Sequence, residues 1–223
     1  MLKTSSDQKF LVAEPLHKAF VCDLTLEELK NGGFSGALNW INKHLYKEGT
    51  ASSQKDRKDK PETWHQLDPN SKGDFGISTN PDKRLPVFRL TETAFMDQRF
   101  TTLTSKDENA ELLHALLNSC VGMLSIEFLG FGRGLGALDL SATRASRIKV
   151  LNPKLLDDAQ QEKILEAFAP LLERPVDNIS EELLRSDRKS FDETVLEVFG
   201  LEQYQEEIYE LLIRSVSDRQ PVK

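Results

Sequence analysis

The run ALLNSCVGMLSIEFLGFGRGLGALDL, residues 115–140, passes through three patterns in succession, and their order decides the fold class. Leading into it, Glu108 to Leu117 carries Leu112, Leu113, Leu116 and Leu117 as one apolar stripe, which predicts a helix. Val121 to Leu129 is apolar and compatible with an extended strand. Gly130 to Gly136 has glycine at every second position, a composition that permits unusual backbone angles or a close approach by another backbone. Ala137-Leu138-Asp139-Leu140 then reads as a short strand, as does Ile148-Lys149-Val150-Leu151. Helix and strand signals mixed within so short a span predict an α+β fold.

Upstream, Leu24 to Lys30 reads as a short helix stopped by Asn31-Gly32-Gly33. Phe34 to Tyr46 reads as an amphipathic helix with Leu38, Ile41 and Leu45 on one face and Trp40 close to it. Gly49 to Lys60 is almost wholly polar and reads as a mobile loop. Trp64-His65-Gln66-Leu67 follows, then a stretch rich in Gly, Asn, Asp and Pro as far as Lys83 that carries turn signals. Arg84 to Leu90 predicts an edge-like strand, because Pro86 has no N–H for a ladder, and a second extended piece is expected near Phe95 to Leu103. Downstream of Leu155 the pattern becomes helical: Gln160 to Leu172, Phe191 to Phe199 ending at Gly200, and Gln203 to Val216. These patterns divide the chain into a mixed α/β domain, residues 1–154, and a helical subdomain, residues 155–223.

The net charge of −7 is unevenly spread. Leu155 to Lys223 holds 17 acidic and 8 basic residues, a balance of −9, which leaves +2 for the remainder. Gly130 to Lys154 holds Arg133, Arg144, Arg147, Lys149 and Lys154 against Asp139, or +4. A basic surface that tolerates nucleic acid is therefore compatible with an acidic chain. Cys22 and Cys120 do not suggest a disulfide framework, no apolar run is long enough for a membrane span, and the first residues lack a signal-peptide core. A cytoplasmic location is the expectation.

Motifs for chemistry are sparse. The glycine loop misses the dinucleotide-binding spacing, lacks a following Lys-Ser/Thr pair, and leads into a strand where a cofactor loop should lead into a helix. His17, His44, His65 and His114 have no metal-ligand spacing to each other or to the cysteines. Cys120 sits in an apolar context and reads as a small core residue. No metal, cofactor or catalytic residue is assigned.

The phrases Leu116-Leu117-Asn118-Ser119, the glycine-rich turn, Leu138-Asp139 and Val150-Leu151-Asn152-Pro153 come in the order found in a known family. Together with Ala37-Leu38-Asn39-Trp40-Ile41, Trp64-His65-Gln66-Leu67, Leu85-Pro86-Val87-Phe88-Arg89, Arg188 to Val195 and Phe199-Gly200-Leu201, they resemble the C-terminal target-recognition (TaqI-like specificity) regions of adenine-specific DNA methyltransferases and of fused type II restriction–modification enzymes. The resemblance runs loosely from about residue 20 to 215. It implies sequence-specific recognition of double-stranded DNA beside a methyltransferase catalytic domain or subunit, with S-adenosylmethionine on that partner. The Asn/Asp/Ser-Pro-Pro-aromatic tetrapeptide of adenine methyl transfer is missing, since the chain has no Pro-Pro dipeptide.

DNA contacts require cations for phosphates and side chains that reach base edges. The candidates are Arg57, Lys58, Lys60, Arg84, Arg89, Arg133, Arg144, Arg147 and Lys149. Arg133, between Gly132 and Gly134, is the most pointed of them, and an exposed loop arginine is its bland alternative. Trp40 and Trp64 could stack on bases or pack in a core; Asn118 could bond adenine or cap a helix. The acidic helical tail is expected to contact the catalytic partner. Two other readings stay open: a protein-interaction module without DNA contact, and a small-molecule transferase using the glycine loop.

Overall fold

The computed structural model describes residues 1, 9–45, 58–68, 71–105, 109–132 and 136–220. Arg57, Arg133 and most of the polar stretch 49–60 lie outside these residues. The chain divides into two compact units, residues 19–69 and residues 1–18 with 70–223.

In the smaller unit, helix α1 (Leu26–Asn31) starts at a capping box: Thr25 Oγ1 accepts from Glu28 N–H, and the Glu28 carboxylate accepts from Thr25 N–H. The Thr25 donors hold the Glu28 carboxyl below the usual carboxylate range. Gly33, at φ +71, releases the chain into helix α2 (Ser35–Leu45). Trp40 stacks between Phe20 and His44, with centroids at 4.4 and 4.3 Å. His65 Nε2 lies 2.9 Å from Leu24 O, and Gln66 donates to Asp23 O, so the Trp-His-Gln-Leu phrase fastens the lead into α1.

The larger unit is α+β, as its patterns indicated. Its four-stranded mixed sheet has the order β1-β3-β2-β4, from β1 (Val12–Ala13), β2 (Lys72–Ser78), β3 (Val87–Phe95) and β4 (Phe100–Leu103). β1 is parallel to β3; the other pairs are antiparallel. Two sequence expectations change here. The stretch ending at Lys83 contains interior strand β2, whose glycines are demanded by tight packing. A Cβ at Gly76 would lie 2.6 Å from Met96 Sδ, and one at Gly73 would lie 2.8 Å from Leu103 O. Phe75 and Ile77 supply its buried side chains. β3 is interior as well: Pro86 immediately precedes it, so its missing N–H costs the ladder nothing.

Helix α3 (Ala110–Leu117) runs into helix α4 (Cys120–Leu129) through a 66° bend. The apolar stretch 121–129 is thus helical, not extended. Its few polar positions, Ser125 and Glu127, are taken up by Lys149 N–H and Arg219, and Ser119 caps it by accepting from Gly122 N–H. Gly122 is required by the bend, since a Cβ there would stand 2.4 Å from Leu117 O. β5 (Phe131–Gly132) and β6 (Leu138–Asp139) then pair antiparallel, and helix α5 (Ala142–Ala145) follows. Residues 148–151 form no strand; Lys149 N–H donates to Ser125 Oγ on α4, and Asn152 caps a 3-10 turn at Pro153–Leu155.

The remaining helices are α6 (Asp158–Leu172), α7 (Ile179–Glu182), α8 (Ser186–Val198) and α9 (Gln205–Asp218). α8 ends in a Schellman motif, with Gly200 at φ +67, Gly200 N–H on Glu197 O and Leu201 N–H on Leu196 O. One core joins the sheet (Phe75, Ile77, Val87) to α4, α7, α8 and α9; a second joins Leu11 and α3 to α6 and α8. Among the described residues no single helix is long and apolar enough to cross a membrane.

Candidate nucleic-acid interface

Three exposed basic side chains, Arg144, Arg147 and Lys149, lie on and just after α5, near the end of α4. Arg144 Nη1 donates to Leu129 O at the last turn of α4, a favourable place for a cation. Its guanidinium also stands 5.7 Å from the centroid of Phe131. Ala145 is buried, and the Lys149–Ser125 hydrogen bond moors the following backbone, which leaves Arg147 and Lys149 projecting into solvent. Among the described residues no carboxylate lies within ion-pair distance of Arg144, Arg147 or Lys149. Phe128 and Phe131 are 62% and 60% exposed on the same segment. Sequence patterning overlooked this aromatic pair, because Phe128 sits in an apolar run and Phe131 in the glycine-rich stretch; the turn from helix to hairpin exposes both.

The other candidate cations have different surroundings. Arg84 is half-buried and lines a cleft of about 270 Å³ together with Asn80, Asp82, Lys83 and Asn178. Arg89 gives Nη1 to Glu111 at 3.0 Å, which ties β3 to α3. Lys58 and Lys60 are exposed in the smaller unit. The glycine segment is anchored at its C-terminal end: Gly136, at φ +88, has its carbonyl held by Arg219. The segment 79–81 continues the β5–β6 pair, since Leu140 N–H donates to Thr79 O and Leu138 N–H to Pro81 O.

Several polar residues that looked available are structural. Asn118 accepts from Val87 N–H at 3.0 Å and donates to Val87 O at 2.9 Å, so its amide bonds the backbone of β3 as a strand would. His114 also donates from Nε2 to Val87 O, and burial against Phe75 and Phe168 pushes its pKa down to about 4. Asp192, fully buried, accepts from Cys120 N–H and from the Tyr209 hydroxyl, and burial raises its carboxyl despite the nearby Arg188. Arg188, 1% exposed, donates to Glu182 and to Asn118 O. Arg174 donates to both Glu182 and Asp187. Burial pushes the Cys120 thiol up, with the Asp192 carboxyl adding to the effect, which disfavours its thiolate form. Among the described residues no cluster of His, Cys, Asp and Glu is placed to hold a metal.

No family model matches the sequence, and no curated protein matches it. One solved structure, titled "Characterization and crystal structure of the type IIG restriction endonuclease BpuSI", is similar in fold, with a TM-score of 0.55 at 16% identity. The match covers 98% of this chain and 27% of that one, so the chain spans about a quarter of the enzyme it resembles.

Proposed function

We propose that this chain is the sequence-specific DNA-recognition module of a restriction–modification system, of the target-recognition kind found beside adenine-specific methyltransferases. The observation that carries the reading is the basic segment Arg144, Arg147 and Lys149, solvent-facing and without carboxylate partners among the described residues, next to the exposed rings of Phe128 and Phe131. Cations presented in this way contact phosphates and set register on a duplex. A planar guanidinium held over an aromatic ring is pre-oriented for bidentate contact with phosphate or guanine. The fold shared with part of a type IIG restriction endonuclease supports the same reading.

In this proposal residues 1–154 bear the DNA contacts, with Arg57, Lys58, Arg84, Arg89 and Arg133 as further candidates, and residues 155–223 form the acidic subdomain. Methyl transfer and S-adenosylmethionine belong to a catalytic domain or subunit acting beside this chain in the cytoplasm. The test is anisotropy with a mixed-sequence duplex over a salt series, with and without the catalytic partner. Expected is binding at low salt that weakens steeply as salt rises. Absence of binding at low salt in both arms refutes it. The exposed Phe128 and Phe131 and the −9 balance of the tail favour one alternative, a protein-docking module without DNA contact. Salt-insensitive binding to a protein partner would support that alternative.

A further inference from the structure

We infer that Arg219, at the end of α9, is a positioning residue that holds the two basic segments 83–84 and 144–149 in one arrangement; this rests on the DNA-reading proposal above. Its side chain is 9% exposed and serves three elements at once. Nε donates to Glu127 Oε1 of α4 at 2.9 Å, and Nη2 approaches Glu127 Oε2 at 3.3 Å. Nη1 donates to the carbonyl of Gly136, and Nη2 to the carbonyl of Asp82. Gln220 reinforces the junction by donating to Asp82 Oδ1 at 3.0 Å. It also fills the space a side chain at position 136 would need, since a Cβ on Gly136 would lie 2.5 Å from Gln220 Oε1.

Each element that Arg219 holds leads to the basic surface in one to three steps. Asp82 is followed in the chain by Lys83 and Arg84 of the cleft. Gly136 leads into β6, β6 pairs with β5, and Phe131 of β5 lies under the Arg144 guanidinium. Glu127 sits on α4, which offers Leu129 O to Arg144 and Ser125 Oγ to the backbone of Lys149. A guanidinium has five donors in a fixed planar fork and can satisfy three separate acceptors; an ammonium is a compact point charge that cannot span them. The acidic tail therefore contributes a cation to the base of the proposed DNA-contacting surface.

Replacing Arg219 alone would leave Glu127 buried without a partner, so the variant to compare with the wild type is R219Q/E127Q in the full chain. Binding to a mixed-sequence duplex should weaken about tenfold at low salt, and the plot of log affinity against log salt should flatten by about one unit as a phosphate contact is lost. A variant that merely folds less completely would lose active molecules equally at every salt and keep the slope. R219K, which keeps the charge beside Glu127, should fall between the two. In a second arm without DNA, hydrogen exchange at the Leu138 and Leu140 amides, bonded to Pro81 and Thr79 in the wild type, should quicken about tenfold in R219Q/E127Q. Unchanged exchange at those amides, or an unchanged salt slope in a folded variant, overturns the assignment. If the wild type binds no duplex but the exchange quickens, the positioning role stands and the DNA reading alone fails.

Discussion

Two polar regions of this chain look alike as sequence and differ wholly in structure. The Arg188–Asp192 region of α8 and the Arg144–Lys149 segment after β6 both set basic residues among apolar ones. In the first, Arg188 and Asp192 are buried, and their donors and acceptors are spent on Glu182, Asn118, Cys120 and Tyr209. In the second, the side chains of Arg147 and Lys149 are spent on nothing within the described molecule. Spent groups hold helices together; unspent ones stay exposed to solvent. The same residue types are buried and paired in one place and, in the proposed reading, available for recognition in the other, and burial makes the difference.

The largest effect that can test this contrast is in the buried region. Arg188→Ala removes one member of a desolvated ion network and should cost about 3–5 kcal/mol in urea unfolding. DNA binding per folded molecule should not change. A loss below about 1 kcal/mol would mean that the network is not structurally important.

The next effect is a pH dependence. His114 has a folded-state pKa near 4, below the ordinary value of about 6.5, so the unfolded chain takes up a proton first as pH falls. The His114 contribution to stability is therefore complete above about pH 6.5 and declines toward pH 4, by about 3 kcal/mol in all. Glu182 and Asp187, held below their usual range with Arg174 bonded to both, lose their contribution only at lower pH. His114→Gln should flatten the curve between pH 6.5 and 4.5, as followed by chemical denaturation at several pH values.

In the exposed region, R144A/R147A/K149A should leave stability within about 0.5 kcal/mol per substitution. It should flatten the salt dependence of duplex binding by roughly two to three units. Equal binding by the triple variant and the wild type would sink the proposed interface. The smallest effect is expected at Lys163 and Glu197, a half-exposed pair between α6 and α8 at 2.7 Å. Lys163→Ala should cost no more than about 0.5 kcal/mol, because such pairs are screened by solvent and salt. A larger cost would show that exposed pairs here also hold the fold, and would blur the contrast.

The helices with a clear apolar stripe and a stop signal were legible before any coordinates. α1 ends at its Asn-Gly-Gly, and α8 closes at Gly200 with a left-handed turn. Besides the strand expected at 148–151, which does not form, two elements were misread for one reason each. β2 hides behind Gly73 and Gly76, which look like loop residues and are in fact sites where neighbouring atoms leave no room for a side chain. α4 has only Ser125 and Glu127 as polar side chains within 121–129, and without a polar face its period cannot be distinguished from that of a buried strand. Of the candidate contacts, Arg144, Arg147 and Lys149 were found from charge counting. Phe128, Phe131, Lys83 and Arg219 carried no local mark, since what singles them out is the company they keep across long sequence separations.

What the sequence determined by itself is the α+β class, the helical tail, the uneven charge and the lack of a methyl-transfer tetrapeptide, because each follows from local spacing or composition. Tertiary structure alone decided which charges are committed and which are free to bind. That outcome depends on desolvation and on partners as far as 137 residues apart in the Arg219 bond to Asp82 O and 138 in the Gln220 bond to the Asp82 carboxylate, and no short window of sequence contains both ends of such a contact.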